Sequence, residues 1–494
     1  MRKYIIGRLI RSFFSIFIVV SIAIVMIYTL VPKENIFFGD SYLPKLGSKP
    51  DETIQYKNSR WEELGYLDFV QQSDMCKNSD NYSGCMVIGS EESLVLKANY
   101  VDEGYTVDTF PKSGFLYAYK EYTAVELITN WFSNFIQIDN VNKISDDGNL
   151  DLERKVYLAT DYNGLPAVKC SGCENEYLMY LDGSFPFIHQ NFIKLNFGVS
   201  YPTYSGVETI DVISSGQGTY DYEDVEFPSG KTASSPLDLH NCTYKATSTL
   251  DRLDQEKFDS NYANCSFNYQ DPSMISTSYL FGILALILSY VIGLPGGIFM
   301  SSRKGKLADK IGTVYINFMI AVPSLAFIFF AKLIGTAFGL PDKFPQFGFN
   351  DIRSYILPVI ILGLLGTAGL MIWTRRYMVD QSNADYVKFA RAKGLSQKEI
   401  FNNHILKNAI IPIVNGIPSS IILCISGAVI TETVFAIPGM GKMLPDAIKA
   451  YNNSMVITLT FILTALSVLA LLLGDILITF VDPRIKLDNK GDSR

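Results

Sequence analysis

Six apolar runs punctuate the chain, and each comes close to the roughly 20 residues that an α-helix needs to cross a bilayer. The first run lies near the amino terminus, whereas the other five follow one another towards the carboxyl terminus. This spacing predicts a polytopic α-helical membrane protein with six transmembrane helices. The predicted helices occupy residues 12–32, 274–300, 313–336, 355–373, 409–435 and 455–481.

Positive charges give the predicted orientation, because cytoplasmic loops carry an excess of Lys and Arg. Cations precede the first run and follow the second, fourth and sixth runs, whereas the alternate short loops hold few. Both termini are therefore predicted to be cytoplasmic. The cations on that side are Arg2, Lys3, Arg8, Arg11, Arg303, Lys304, Lys306, Lys310, Arg375, Arg376, Arg484, Lys486 and Lys490.

The polar interval at residues 34–273 must then lie outside the cell. Alternating apolar and polar positions at 105–110 and 207–213 predict strands, and residues 122–138 predict an amphipathic helix. We expect a mixed α+β domain, in which this helix packs on the domain core rather than lying at the membrane surface. Its predicted apolar face consists of Val125, Ile128, Trp131, Phe132, Phe135 and Ile136.

The formal charge of −7 conceals two parts of opposite sign. Residues 33–272 hold 18 Lys and Arg against 37 Asp and Glu, a net charge of −19, whereas the remainder holds 24 against 12, a net charge of +12. This asymmetry indicates an acidic soluble domain inserted into a basic membrane domain. Such an insert is either a docking platform for an outside partner or an inert spacer.

Six of the seven cysteines lie in the polar interval, and an even number there indicates disulfides and an oxidising compartment. Two of them have C-x-x-C spacing, but their neighbours resemble a loop, so we favour a structural disulfide over a redox site. Six cysteines allow fifteen connectivities, and the pairing stays open. The candidate cysteines are Cys76, Cys85, Cys170, Cys173, Cys242 and Cys265.

The sequence contains no nucleotide-binding motif, no catalytic Ser, His and Asp cluster in its membrane part, and no recognisable zinc-ligand spacing around His189 or His240. We therefore expect no cofactor, no metal and no nucleic acid partner. The chain is not expected to be an enzyme, and energy for any transport must come from another chain.

A polar and basic stretch at residues 385–408 interrupts the apolar runs. Val387, Ala390 and Gly394 fall on one face of a short helix that Gly394 can end, and Ser396 with Glu399 has capping-box spacing for a second helix. We expect a helix, a glycine break and a helix with an exposed apolar stripe that a soluble partner can grip. The alternative is an ordinary amphipathic interfacial loop.

The segment Tyr386-Val-Lys-Phe-Ala-Arg-Ala-Lys-Gly394 resembles the "EAA" cytoplasmic loop of oligopeptide ABC importer permeases, which docks on an ATPase. Lys388 and Phe389 depart from the Glu and Ala of that pattern, so no role for a Glu is carried over. The resemblance implies a coupling loop at residues 377–408. The implied coupling residues are Tyr386, Ala390, Arg391, Gly394, Glu399, Ile400, His404, Leu406 and Asn408.

Residues 426–441 resemble the "SGA…ETVF…PGxG" segment of the same family, which forms part of an outer gate. The alternative is a plain turn with a solvated Glu432. Asp475 is the one acid deep in the sixth run, and we expect it to pair with Arg303, Arg375 or Arg376. The DPRI ending at 482–485 also matches the family. The implied gate residues are Glu432, Phe435, Pro438, Gly439 and Gly441.

The resemblance covers about residues 1–32, 192–213 and 274–486, and its enlarged outer segment resembles the Ami-type subunits of Gram-positive bacteria. It implies a type I ABC importer permease fold in a cell membrane, with an α+β extracellular domain between helices one and two. The implied parts are residues 1–33 with helix one, 34–273 as the inserted domain, 274–486 as the permease domain and 487–494 as a cytoplasmic tail.

The implied partners are a second homologous permease, two cytoplasmic ATPases, an extracellular peptide-binding lipoprotein, the peptide substrate and membrane lipid. Alternatives within the family are transport of dipeptides or of nickel chelates. Two alternatives from other protein classes are a membrane-anchored extracellular receptor and a proton-coupled secondary transporter. A proton-coupled transporter needs acidic residues along the midplane of the membrane.

Overall fold

The computed structural model describes residues 2–78, 81–183, 186–426 and 428–481. The chain divides into two compact units. The helical unit comprises Met1–Ala23, Pro272–Lys449 and Val456–Arg494, and the β-containing unit comprises Ile24–Asp271 and Ala450–Met455. The family ending at 482–485 and the tail at 487–494 lie outside the described residues.

The chain begins with the long helix α1 (Arg2–Leu30), followed by a 3-10 turn at Lys33–Gly39. The β-containing unit then alternates short helices and strands, as the predicted α+β class requires. Its elements are α2 (Leu43–Leu46), α3 (Pro50–Glu63), β1 (Leu67–Gln71), α4 (Gln72–Met75), α5 (Tyr82–Cys85), α6 (Glu91–Asp102), β2 (Thr106–Thr109), β3 (Leu116–Glu121), α7 (Ala124–Asn134), β4 (Ile136–Ile138), β5 (Lys155–Thr160), β6 (Pro166–Ser171), β7 (Tyr177–Leu181), β8 (Ile188–Gln190), β9 (Ile193–Leu195), α8 (Thr209–Ser214), β10 (Glu223–Glu226), β11 (Thr232–Ser235), β12 (Leu237–Thr243), α9 (Arg252–Lys257) and β13 (Asn264–Phe267).

The described strands form small antiparallel sheets. One has the order β1-β3-β2, one is a β5-β6-β7-β8 meander, and three are two-stranded ribbons, β4-β9, β10-β11 and β12-β13. An aromatic core around Phe37, Trp61 and Tyr117 packs under the first sheet, and a second core surrounds Phe227 and Phe258. The unit therefore has several small cores rather than one large sandwich.

One expectation for this unit is wrong. Residues 207–213 are not a strand: α8 begins at Thr209, and its buried residues Thr209, Val212 and Ile213 have helical spacing that the apparent alternation concealed. The apolar face of α7 is half-buried, because Trp131 and Phe135 contact the buried ring of Phe197 whereas Val125 is 70% exposed.

Three disulfides link nearby cysteines, Cys76 to Cys85, Cys170 to Cys173, and Cys242 to Cys265. The C-x-x-C pair lies at the end of strand β6 and is buried rather than placed at a helix start. This setting favours the structural interpretation over a redox site. Cys424 has a free thiol.

The ends of two long helices belong to the β-containing unit. The hydroxyl of Tyr28, in α1, donates to the carbonyl of Leu64 at 2.7 Å. The Nδ2 atom of Asn452 donates to Ser200 Oγ at 2.7 Å, and Asn453 donates to the Tyr66 hydroxyl. Polar side chains thus attach the end of α1 and the start of α20 to this unit.

The helical unit continues with long helices and their connections. Its elements are α10 (Met274–Ser302), α11 (Leu307–Ala321), α12 (Ser324–Ala337), α13 (Arg353–Ser382), α14 (Asp385–Ala392), α15 (Gln397–Glu399), a π-helix (Ile400–Leu406), α16 (Lys407–Ala409), α17 (Ile411–Leu423), α18 (Val429–Phe435), α19 (Met440–Lys449) and α20 (Asn453–Val481). Four described helices are long and apolar enough to cross a membrane, or up to six if each of two bent pairs is one span.

The third and fifth predicted spans are not single straight helices. The third bends by 108° between α11 and α12, because Pro323 follows Val322 and drives it into the extended region. The fifth ends earlier than expected, since α17 stops at Leu423 and α18 is a separate short helix. Breaks of this kind are tolerated where protein satisfies the freed backbone groups.

Small residues let α10 and α13 approach closely. A Cβ atom at Gly297 would lie 2.6 Å from the Cβ of Thr374, and one at Gly363 would lie 2.7 Å from Leu288 Cδ2. The Oγ atom of Ser289 also donates to the Gly363 carbonyl at 2.7 Å. The closely packed helices α10 and α13 therefore support the segments that connect the other helices.

Candidate functional site

The polar segment after α13 has the predicted helix, glycine break and helix. Gly394 has a φ of +78°, and its amide donates to the Arg391 carbonyl while the Leu395 amide donates to the Ala390 carbonyl. These two bonds form a Schellman motif that ends α14. The next helix starts with the predicted capping box, in which Ser396 and Glu399 bond each other's side chains and amides.

The small-residue face of this segment is buried within the chain, contrary to expectation. Val387 and Ala390 are 0% and 4% exposed, and they pack with Ile400, Ile405 and Met378 of α13. A short amphipathic helix is stable when it buries its apolar stripe, and here the chain itself supplies the partner. The predicted exposed stripe is therefore not available to another protein.

A different surface is exposed. Every residue from Arg391 to Glu399 is exposed, and Phe389 on the adjacent turn of α14 is 71% exposed. This docking segment, defined here as Phe389 with residues 391–399, carries Arg391, Lys393 and Lys398 against Glu399 as its single acid. The side-chain and backbone bonds from Ser396 lower the pKa of Glu399, so its carboxyl group is charged near neutral pH.

The remaining coupling candidates brace the segment from inside. The Tyr386 hydroxyl donates to Gln381 Oε1 at 2.5 Å and lies 3.4 Å from the His404 carbonyl. Asn408 Nδ2 donates to the same carbonyl at 2.7 Å, and Leu406 packs against the small core. His404 and Leu406 lie in the π-helix at Ile400–Leu406, and such irregular turns frequently occur at functional sites.

Glu432 lies in a second candidate site, and it is 2% exposed. Its Oε1 atom accepts from the Ser278 hydroxyl at 2.8 Å and from the Ala428 amide at 3.1 Å, and its Oε2 atom accepts from the Lys442 amide at 2.9 Å. The Ser278 hydroxyl also accepts from the Met440 amide at 2.7 Å. A plain turn with a solvated Glu432 is therefore wrong.

The loop around Glu432 is packed as tightly as a core. Phe435 is fully buried, and its carbonyl accepts from the Phe344 amide at 2.8 Å. A Cβ atom at Gly439 would lie 2.5 Å from Ser278 Oγ and 2.6 Å from the Glu432 carboxyl group, so only glycine fits. Gly441 is buried and Pro438 half-buried beside it.

A cavity of about 250 Å³ lies behind this loop. Glu432, Ser278, Ser420 and the free thiol Cys424 contribute to its wall, which is otherwise mostly apolar. No sequence pattern indicated Ser278, because a serine in an apolar helix is unremarkable until its partner is known. The hydrogen bonds join α10, α18 and α19 at one point.

The ion pairs of the helical unit differ from the prediction. Asp475 pairs with Arg8 of α1 at 2.6 Å, not with Arg303, Arg375 or Arg376. Arg375 instead forms a bidentate ion pair with Asp309, in which Nε donates to Oδ1 at 2.6 Å and Nη2 donates to Oδ2 at 2.8 Å. Asp309 is 5% exposed and was missed, because it lies just before the predicted third span and α11 starts earlier. Among the described residues, no group of three or more His, Cys, Asp or Glu side chains can hold a metal ion.

Comparison with known proteins places these features in context. Residues 293–487 match the family of binding-protein-dependent transport system inner membrane components. The oligopeptide transport system permease protein AmiC of Streptococcus pneumoniae is 42% identical over 99% of this chain and 100% of its own length.

Other relatives match a smaller part. The dipeptide transport system permease protein DppB of Lactococcus lactis is 33% identical over 43% of this chain and 70% of its own length. Among solved structures, the MetNI methionine ABC transporter matches with a TM-score of 0.35 and 15% identity, over 42% of this chain and 94% of that chain. The pneumococcal relative therefore has a counterpart to almost the whole chain, whereas the lactococcal one matches less than half.

Proposed function

This chain belongs to the family of binding-protein-dependent transport system inner membrane components, and from this premise we propose that it is the permease subunit of an ABC importer for oligopeptides. The observation that carries the substrate class is the 42% identity to an oligopeptide permease along nearly the full chain. The subunit moves the substrate, and partner chains hydrolyse the ATP.

The proposed assembly contains a second homologous permease, two cytoplasmic ATPases and an extracellular peptide-binding lipoprotein. In the proposed topology the chain has six spans, both termini are cytoplasmic and the β-containing unit is outside the cell; the count of up to six spans, with each bent helix pair taken as one, supports it. The cation distribution and the three disulfides support this orientation. A Gram-positive cell membrane is the proposed location.

We assign ATPase coupling to the docking segment. Its cations and Phe389 are exposed, and the Schellman motif at Gly394 with the capping box at Ser396 holds the backbone between them. Closure of the two ATPases then moves α13 and the π-helix, because Tyr386 and the buried face of α14 tie them together.

The Glu432 loop is the proposed outer gate. Ser278 of α10 bonds both Glu432 and the Met440 amide, and Glu432 also bonds the Lys442 amide. Movement of α10 must therefore either break these hydrogen bonds or move the loop with it. Because every bond lies within one chain, the loop has a defined closed position without substrate. Opening it connects the cavity behind Glu432 with the outer surface.

The acidic β-containing unit has two proposed roles, a docking platform for the lipoprotein or a spacer. Steering by exposed charge weakens as the Debye length falls from about 10 Å at 0.1 M salt to about 3 Å at 1 M salt. A platform predicts that association of the purified lipoprotein with the complex slows with salt, and slows further when the insert is replaced by a short segment. Association rates that are equal at both salt concentrations and with the shortened insert support the spacer.

Reconstitution tests the whole proposal. The chain is co-purified with its partner subunits, placed in liposomes with ATP at the ATPase face, and assayed for uptake of labelled oligopeptides. We expect uptake and ATP hydrolysis that both depend on the lipoprotein. Uptake of dipeptides or nickel chelates alone would change the substrate. Uptake driven by a proton gradient, or binding without transport, would reject the function.

A further inference from the structure

The ribbon formed by β4 and β9 has its polar and apolar faces reversed from the usual arrangement. Gln137 lies opposite Lys194 in the register, so these two side chains share one face. That face is turned towards the body of the β-containing unit, since Lys194 Nζ lies 2.6 Å from Glu208 Oε1 and 4.0 Å from Glu174 Oε1. Antiparallel sheets with one solvent-exposed face normally direct their polar side chains towards the solvent.

The outward face of this ribbon is entirely aliphatic. Ile136 lies opposite Leu195, and Ile138 lies opposite Ile193. Their exposed fractions are 57%, 42%, 62% and 44% in that order. Four aliphatic side chains on a ribbon whose ion pair is directed inwards are a contact surface rather than scattered exposed residues.

The ribbon leads directly to the end of a long apolar helix. Leu195 is three residues from Gly198, a distance of at most about 11 Å along an extended chain. A Cβ atom at Gly198 would lie 3.6 Å from the Oγ of Ser454, the second residue of α20. Ser200 is bonded to Asn452 in the same place.

The length of α20 places Ser454 close to the edge of a bilayer. The apolar stretch Asn453–Leu477 has 25 residues, which is about 37 Å of helix and exceeds the roughly 30 Å of hydrocarbon. Its ends therefore extend into the headgroup layers. The half-buried rings of Trp131 and Phe135, 5.2 Å apart between centres, directly precede β4, and aromatic side chains are enriched at membrane surfaces.

We propose that the aliphatic face of the β4-β9 ribbon inserts into the outer leaflet at the boundary between headgroups and acyl chains. This inference rests on the proposed orientation, with the β-containing unit outside the cell. The face itself holds no cation, so the contact depends on apolar burial and not on anionic lipid.

Site-specific fluorescence in the assembled complex tests this contact. Cys424 is replaced by Ala, and a single cysteine is introduced by Ile138→Cys or Leu195→Cys and labelled with an environment-sensitive dye. Leu158→Cys is the matched control, because Leu158 is 84% exposed on β5 of the same unit. The complexes are placed in phosphatidylcholine nanodiscs that contain a shallow nitroxide lipid.

We expect nitroxide quenching at positions 138 and 195 to be at least about three times that at position 158, with protection from aqueous iodide. The result should be the same when anionic lipid is added. Equal iodide quenching at all three positions would overturn the proposal, and so would protection that appears only with the peptide-binding lipoprotein or requires anionic lipid.

A photocrosslinking residue at position 138 gives a second measurement without a new thiol. Crosslinks to lipid support the proposal, and crosslinks to another subunit overturn it. Peptide uptake is measured with the same purified complexes after reconstitution in liposomes, so a failure of the proposed transport function is distinguishable from a failure of the lipid contact.

Discussion

The two candidate sites of the helical unit satisfy their polar groups in opposite ways. The Glu432 carboxylate is buried and accepts hydrogen bonds from Ser278 and two backbone amides, all within the chain. Helix α14 buries its apolar face, but the docking segment beside it leaves nine successive residues, Arg391 to Glu399, exposed. The polar groups of the first site are therefore satisfied within the chain, whereas the side chains of the second are open to solvent or to a partner.

This difference separates the expected effects of mutations. Changes near Glu432 should alter the isolated subunit, because they leave buried donors without acceptors. Changes in the docking segment should leave the isolated subunit intact and affect only the assembled transporter. Each prediction below compares a change in one site with a matched change elsewhere.

The largest effect is expected for Gly394→Glu. The substitution adds a Cβ at a φ of +78° and a negative charge within a basic docking segment. We expect peptide uptake to fall below about a tenth of its normal rate while the subunit still inserts and assembles. Uptake and ATPase stimulation in proteoliposomes measure this outcome.

Gly164→Glu is the control for backbone strain, because Gly164 has the same φ of +78° and no atom within 4 Å of an added Cβ. It lies in the turn between β5 and β6. Normal uptake by Gly394→Glu, or an equal loss in both variants, would remove the docking assignment.

The second prediction concerns Glu432→Gln. The new amide group keeps the shape of the side chain but places N–H donors against the donors of Ser278, Ala428 or Lys442, which typically costs about 1–3 kcal/mol. We expect a lower unfolding temperature and about tenfold faster maleimide labelling of Cys424, which lines the cavity behind the loop.

Glu399→Gln is the matched control, because that carboxylate is exposed and its loss should not change Cys424 labelling. If the two variants label at the same rate as the parent protein, Glu432 does not hold the loop closed. The network would then be a static packing feature.

The third prediction concerns Phe389→Ala. An exposed aromatic side chain in a polar docking segment is typical of an interface hot spot, and its loss commonly costs about 2 kcal/mol of binding. We expect about a tenfold to thirtyfold weaker association of the ATPase with the permease, measured by titration in detergent. Phe38→Ala, at a phenylalanine that is 85% exposed in the β-containing unit, should leave that affinity unchanged.

The same contrast explains what the sequence could predict. Local chemistry was readable: the helix end at Gly394 and the Ser396 and Glu399 capping box follow from spacing alone. The partners of Asp475 and Glu432 were not readable, because pairing depends on helices far apart in the chain. Asp475 contacts Arg8 across more than 460 residues, and Ser278 reaches Glu432 across 154.

Burial was also predicted poorly where a face has two possible partners. The apolar residues of α14 and α7 have similar helical patterns, yet Val387 is fully buried and Val125 is 70% exposed. Periodicity identifies an apolar face but not what covers it. For α14 the cover is α13 and the π-helix, which the sequence did not identify as a partner.

The smallest predicted effect is the pH dependence of the capping box in the docking segment. The Ser396 hydroxyl and amide donate to Glu399 Oε2 at 2.7 and 2.9 Å, and these bonds lower the pKa of the carboxyl group. A group with a lowered pKa in the folded state stabilises that state above its unfolded pKa of about 4.3, and this stabilisation is lost as pH falls through the folded value. The capping box should therefore stay formed between about pH 5 and 8. Below about pH 4, amide exchange at residues 396–399, corrected for intrinsic exchange, should rise a few-fold.

Glu399→Gln retains a carbonyl acceptor at every pH, so its corrected exchange should not change. A similar rise in both proteins would show that the acid acts elsewhere in the segment.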